Sequence, residues 1–196
     1  MRNNSMGAWI LGTAGFVLYF FYDMNSLKWQ NKILSRFFWL GTACVLVSAV
    51  WAAAVFSDFS GRLLPEILLY GAAGVLFLVL LLYTLFFAIP FDETYVEENH
   101  SREACTEGVY ALCRHPGVLW FAGLFLCLWR LTGEPAGGIY FLTMIFWNLL
   151  YVVFQDIWTF PRTFINYREY KRETPFILPG IKSIRACFKG RKRKET

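Results

Sequence analysis

Apolar residues gather into five long blocks along this chain, and short polar clusters separate them. A bilayer core about 30 Å thick is crossed by roughly 20 consecutive apolar residues in a helix. The pattern therefore predicts an all-α fold, an integral membrane bundle of five transmembrane helices. The first three blocks cover residues 7–22, 37–56 and 67–89, and Pro90 ends the third because proline lacks a backbone donor. The fourth, 117–131, and the fifth, 139–154 with a polar end running on to 156, each hold about 15 apolar residues, only ~23 Å at 1.5 Å per residue. They read as two arms of a hairpin whose tip, "TGEPAGG" (132–138), is built of turn formers. No small-residue cleavage pattern precedes Asp23 and further spans follow, so the first block is expected to be retained rather than removed as a leader.

Composition strengthens this picture: the 196 residues are 57% hydrophobic and 19% aromatic, beyond what one soluble domain of this length hides. Charge then sets an orientation. Lys28, Lys32 and Arg36 lie between the first two spans, and residues 182–194 carry seven basic side chains. The positive-inside rule puts both on the cytoplasmic side, with the N-terminus and the hairpin tip outside. The loop holding Arg114 and His115 falls on the cytoplasmic side as well. Residues 1–181 then form the membrane domain and 182–196 a basic cytoplasmic tail. The tail, "FKGRKRKET", lacks aromatic interleaving and nucleic-acid motifs, so anionic lipid headgroups are its expected partner and nucleic acid is not.

Cys44, Cys105, Cys113, Cys127 and Cys187 form no CxxC pair, and their odd number predicts free thiols; Cys187, near the membrane and among basic residues, is a candidate for acylation. No HExxH, P-loop, GxSxG or metal-ligand spacing is present, so metal chemistry is not expected.

One polar constellation stands out against the apolar background. Arg114 lies 21 positions before Pro135 and Asp156 lies 21 after it, so two antiparallel helices bring them to the same depth. His115 and Gln155 are their neighbours, and Pro116 suits the first position of a helix, where a missing N–H costs nothing. Ionisable groups at a membrane boundary pair with one another and line polar cavities. The structural alternative is that Arg114 snorkels to phosphate and Asp156 caps a helix. Asn148, Tyr151 and Gln155, at i, i+3 and i+7, share one face of the fifth span and favour a site. Beyond Asp156, aromatic and charged residues mix as in an amphipathic helix lying at the interface, with Phe160, Phe164 and Tyr167 at helical spacing. Tyr167 and Tyr170 there either close over a bound molecule or anchor among headgroups, and Pro175 and Pro179 stop the element. Gly71 and Gly74 suit either helix association or close packing within the chain.

Together these residues resemble the isoprenylcysteine carboxyl methyltransferase and phospholipid methyltransferase superfamily. The first motif of that group is met by Gly108, Tyr110, Arg114, His115 and Pro116. In the second, Gln155 and Asp156 stand at the paired-glutamate positions, Tyr167 and Tyr170 at the tyrosines, and Thr174, Pro175 and Pro179 at the ending, without a gap. The resemblance covers residues 108–179. It implies a methyltransferase acting on a lipidic or isoprenylated acceptor, with a pocket for S-adenosylmethionine formed by Tyr110, Arg114, His115, Pro116, Gln155, Asp156, Tyr167 and Tyr170 and covered by residues 157–181. Asp156 would accept from the ribose hydroxyls or the amino group, the tyrosines would pack on adenine or near the sulfonium, and Arg172 is the candidate for steering a carboxylate acceptor. Two alternatives remain open: an NADPH-dependent membrane sterol or enone reductase, a class that also carries an Arg-His-Pro segment, and a non-catalytic homologue, since Gln155 replaces an acid.

Overall fold

The computed structural model describes residues 2–58, 62–88 and 102–189. Every regular element among them is helical, and the one β-type pairing is an isolated bridge between Ser57 and Gly133. Helix α1 covers Arg2–Met24, α2 Phe37–Phe56, α3 Leu64–Phe86, the single turn α4 Val109–Leu112, α5 Pro116–Thr132 and α6 Pro135–Phe154. A π-helical turn, Gln155–Thr159, follows α6 directly, and then come the short α7 (Phe160–Thr163), α8 (Tyr167–Glu173) and α9 (Ile181–Lys189). Four helical stretches, Ser5–Trp29, Leu34–Phe56, Leu64–Phe86 and Pro135–Thr163, are long and apolar enough to cross a membrane, and Pro116–Thr132 is a shorter apolar helix.

Their outward faces fit that solvent. Leu46, Val47, Val50 and Trp51 on α2, and Leu68, Leu69, Val75, Leu76 and Val79 on α3, are exposed in rows that no polar residue interrupts. In water each such side chain would cost about 1.5–3 kcal/mol relative to burial. Hydrocarbon removes that cost.

Inside the bundle, α1 packs along α2 and α3 along α5, while α6 runs beside α5 and against α1. Small residues let α1 and α2 approach: a Cβ on Gly15 would sit 2.8 Å from the carbonyl oxygen of Gly41, a backbone atom that cannot move aside. The core is aromatic, with Phe16, Tyr140, Phe141 and Met144 wholly buried. Tyr140 makes a polar bridge within it, its hydroxyl donating to Ser48 Oγ at 2.8 Å. Gly74 packs beside Cys127 of α5, which is close packing within the chain, whereas Gly71 faces open space.

The hairpin differs from expectation in its tip. Only Gly133 and Glu134 separate α5 from α6. Gly133 takes the left-handed conformation (φ 85°) that terminates α5, its N–H bonding back to Trp129 O. Pro135 then starts α6 at once, as proline can at a first helical position, and Gly137 and Gly138 lie inside the helix, where a Cβ on Gly137 would press Phe56 at 3.0 Å. These glycines serve packing rather than a turn. Helix α3 ends at Phe86, short of the expected Ile89, with the N–H groups of Phe87 and Ala88 both turning back to Tyr83 O; Ile89, Pro90 and the tail from 190 onward lie outside the described residues.

The connections sort the helix ends into two groups. Asp58 N–H donates to Thr132 O, joining the end of α2 to the end of α5. Opposite, Tyr110 bonds Thr84 and Tyr151 bonds Asp23, so the ends of α1, α3 and α6 meet the start of α5. The polar constellation sits at this second end.

Candidate functional site

Proline builds the first wall. Pro116 opens α5, and the residue before a proline is kept out of the helical region; His115 accordingly has φ −128° and ψ 63°. Freed from the helix, the Arg114 and His115 N–H groups donate to Pro175 O (2.9 Å) and Phe176 O (3.3 Å), docking the C-terminal segment across the start of α5.

The second wall is the π turn after α6. One extra residue in the turn rotates the chain, so that Gln155 and Asp156 serve two different clusters. Asp156, 5% exposed, faces α5. Arg114 grips it as a fork, Nε to Oδ1 at 2.8 Å and Nη2 to Oδ2 at 3.2 Å. The Tyr167 hydroxyl donates to Oδ1 at 2.7 Å, His115 Nε2 stands 3.4 Å from the same oxygen, and Lys171 Nζ reaches Oδ2 at 2.7 Å. Arg114 also donates to Thr174 O at 2.6 Å, so the cluster ties α5, α6, α8 and the segment after α8 together. Aromatic rings enclose it: His115 stacks on Phe160 with centroids 5.5 Å apart and meets Phe176 edge-on at 5.3 Å.

Gln155 turns the other way. Its Nε2 donates to the Tyr151 hydroxyl (2.9 Å), which donates to Asp23 Oδ1 (3.2 Å), and Thr159 Oγ1 donates to Oδ2 (3.2 Å). Asp23, at the end of α1, is 3% exposed and makes no ion pair among the described residues. Asn148, expected on the same face, keeps a buried Oδ1 without a hydrogen bond among the described residues.

Burial lowers the His115 pKa below its ordinary 6.5, more than Asp156 raises it, so the ring is held neutral near pH 7. Burial raises the Tyr167 hydroxyl, and the Asp156 carboxylate raises it further. Burial likewise raises Tyr170. Burial alone would lower Arg114, but the fork onto Asp156 more than offsets it, leaving the guanidinium firmly charged.

The eight expected pocket residues thus separate. Arg114, His115, Asp156 and Tyr167 meet directly, over the buried ring of Pro116. Tyr170 and Tyr110 form a second layer, Tyr170 donating to Tyr110 O at 2.6 Å and Tyr110 to Thr84 O at 3.0 Å. Gln155 belongs with Asp23 instead. Arg172 is exposed on α8, and its side chain makes no ion pair or hydrogen bond among the described residues; its neighbour Lys171 touches Asp156. Neither Lys171 nor Asp23 was expected here. The four-residue step from Tyr167 to Lys171, one helical face, is the signal for the first. An acid closing an apolar block with no base one turn away is the signal for the second.

The continuous amphipathic helix expected after Asp156 is broken. Phe164 is extended, and Asn166 binds Ala104 through both its side-chain oxygen and nitrogen. Phe160, Phe164 and Tyr167 still pack ring to ring, at 5.4 Å and 5.6 Å from Phe160, because the bend brings them together. Arg114 does not snorkel; its side chain is 8% exposed.

An ionised carboxylate offers about four lone-pair positions. Asp156 fills them with its own chain's donors, so a ribose hydroxyl or an amino group reaches it only in exchange for one of them. Among those donors Lys171 is the partner nearest solvent.

Fold and site define a class: an all-helical chain with several long apolar helices, compatible with a multi-pass membrane protein, and with a buried ionic cluster at one end of the bundle. Comparison with known proteins returns no matching family model, no matching curated protein and no matching solved structure.

Proposed function

We propose that the protein is an integral membrane methyltransferase that uses S-adenosylmethionine and acts on a lipidic or isoprenylated acceptor. One observation carries this reading: Arg114, His115, Asp156 and Tyr167, four of the positions that bear the family resemblance and up to 53 apart in sequence, converge within hydrogen-bonding range at one end of the bundle. In the proposed arrangement the chain crosses the bilayer five times, with the N-terminus outside and the C-terminus cytoplasmic, and α5 is the shortest crossing. Helix α9 lies at the inner surface, with Ile181 and Phe188 exposed along with Lys182 and Arg185, and the basic tail meets anionic headgroups.

The cofactor would supply a methyl group already activated on a sulfonium. The chain's own task is then to orient two reactants and exclude water, for which alignment alone contributes about 7–11 kcal/mol. Pro116 and the π turn fix the two walls, Arg114 holds the segment after α8 across them, and Phe160, Tyr167 and Phe176 keep the interior dry. His115, neutral, offers a hydrogen bond without adding a second buried charge.

Titration of the detergent-purified protein with S-adenosylmethionine tests this. Binding is expected, and His115→Ala and Asp156→Ala should each weaken it about tenfold, or about 1.4 kcal/mol. A folded protein that ignores the compound rejects the proposal, and stabilisation by NADPH instead would favour a reductase. The filled carboxylate of Asp156 and the diversion of Gln155 to Asp23 favour one further reading, a non-catalytic homologue. Binding without methyl transfer to any fraction of a membrane extract distinguishes it.

A further inference from the structure

The partners of Asp156 differ in how far they are sealed from water. The Arg114 side chain is 8% exposed and that of His115 5%, whereas Lys171 is 36% exposed. Their charges do not cancel. The guanidinium fork neutralises the carboxylate through two parallel bonds. His115 is neutral, so the Lys171 ammonium is a surplus positive charge, held by Asp156 Oδ2 and by the Asp156 carbonyl oxygen at 3.1 Å. An ammonium has three donors. Two are used inward, which leaves one on a side chain that is 36% exposed.

The surroundings reinforce that surplus. Arg168, one helical turn before Lys171, and Arg172 beside it are exposed on α8. Glu169 and Glu173 make no ion pair with Lys171 among the described residues. A half-exposed cation pinned over a neutralised ion pair, at the rim of a cluster walled by rings, is a preformed seat for an anion.

We infer that Lys171 is the anion-recognition residue of this site, its ammonium binding a carboxylate or phosphate group that enters from the exposed side while Arg114 retains Asp156. This rests on the proposed methyltransferase reading only for the identity of the anion. The shared chemistry has two sources, the carboxylate of the cofactor's amino-acid end or the phosphate of a lipid headgroup. Arg172, the candidate for steering a carboxylate acceptor under the family resemblance, is the exposed neighbour of this lysine.

The test uses the full-length protein, in detergent and in lipid nanodiscs, as wild type, Lys171→Gln and Lys171→Arg. Affinity is measured for S-adenosylmethionine and for its decarboxylated counterpart, and unfolding temperature in nanodiscs of phosphatidylcholine with and without phosphatidic acid. If the cofactor's carboxylate is the anion, Lys171→Gln weakens S-adenosylmethionine about tenfold, leaves the decarboxylated compound unchanged, and Lys171→Arg restores affinity. If neither adenosyl compound binds, yet phosphatidic acid stabilises wild type and Lys171→Arg but not Lys171→Gln, the anion seat stands, its ligand is a lipid phosphate, and the methyl-donor reading falls. Equal weakening of both adenosyl compounds by Lys171→Gln overturns the inference, since the lysine would then be holding shape. So does the absence of any Lys171-dependent response to either anion.

Discussion

Asp23 and Asp156 are two buried carboxylates at the same end of the bundle, and their surroundings are opposite. Asp156 is held by a guanidinium, an ammonium and a phenol, with a neutral imidazole at its edge. Asp23 meets uncharged donors, the hydroxyls of Tyr151 and Thr159 and the amide of Gln155. Adjacent residues, Gln155 and Asp156, feed the two clusters because the π turn sends them to opposite sides. A buried charge survives where cations compensate its desolvation; a carboxyl among hydroxyls retains its place through hydrogen bonds that an uncharged group also makes. One cluster depends on charge, the other on hydrogen bonding.

Equivalent substitutions at the two acids break this contrast most directly. Asp156→Asn removes the charge that compensates Arg114 and should cost about 3–5 kcal/mol, the range for orphaning one member of a buried pair. Asp23→Asn retains an acceptor oxygen, and the amide donors find hydroxyls able to accept, so its cost should stay near 1 kcal/mol. Unfolding of both variants in mild detergent measures the difference; equal losses would erase the distinction. Within the Asp156 cluster the same logic ranks its cations. Arg114→Met should fall in the range of Asp156→Asn, because the carboxylate loses its sealed partner. Lys171→Met should cost under about 1 kcal/mol, as for pairs that water already screens.

What the sequence made legible follows from periodicity and from one symmetry. The long apolar blocks set the helices, because a 3.6-residue repeat without charges leaves few other folds. Equal distances of Arg114 and Asp156 from the hairpin tip located their meeting, even though the tip is two residues long rather than seven. That estimate survived because lengthening α6 at its start left the separation from Pro135 unchanged. The π turn was not legible: nothing in "FQDIWTF" marks an extra residue in a helical turn, so Gln155 and Asp156 read as partners. Lys171 and Arg172 posed the same difficulty one helix later. Their order decides which faces inward, and the bend at Phe164 that sets the phase of α8 depends on Asn166 binding Ala104, a contact 62 positions away in sequence.

Titration sharpens the contrast further. His115 is buried against Phe160 and Phe176 and faces Arg114 and Lys171 as well as Asp156. Unfolded, it protonates near 6.5; folded, its pKa is lower, so between those values the unfolded chain binds the extra proton. Its contribution to stability is present above about 6.5 and is lost as pH falls through that window, with a slope of at most about 1.4 kcal/mol per pH unit for one proton. Unfolding temperatures measured from pH 7.5 to 5 should decline, and His115→Gln should flatten the decline; an unchanged slope would mean that the ring carries its charge in the folded protein.

The smallest effect concerns a thiol beside the same wall. Cys113 is fully buried directly before Arg114, and burial pushes its pKa up to about 11, against the smaller opposing pulls of the His115 N–H and the Arg114 charge. Only the thiolate attacks alkylating reagents. At pH 8 Cys113 should therefore stay unmodified while the half-buried Cys105 and Cys187 react, as read by mass spectrometry of peptides. The Arg114 side chain, next to Cys113, holds the segment after α8 through Thr174 O, so Arg114→Met should open the thiol to the reagent, whereas Asp23→Asn, acting on the cluster across the π turn, should not. Equal exposure in both variants would mean that the two clusters open together, as a single cooperative unit, and the separation drawn between them would then hold for their chemistry but not for their stability.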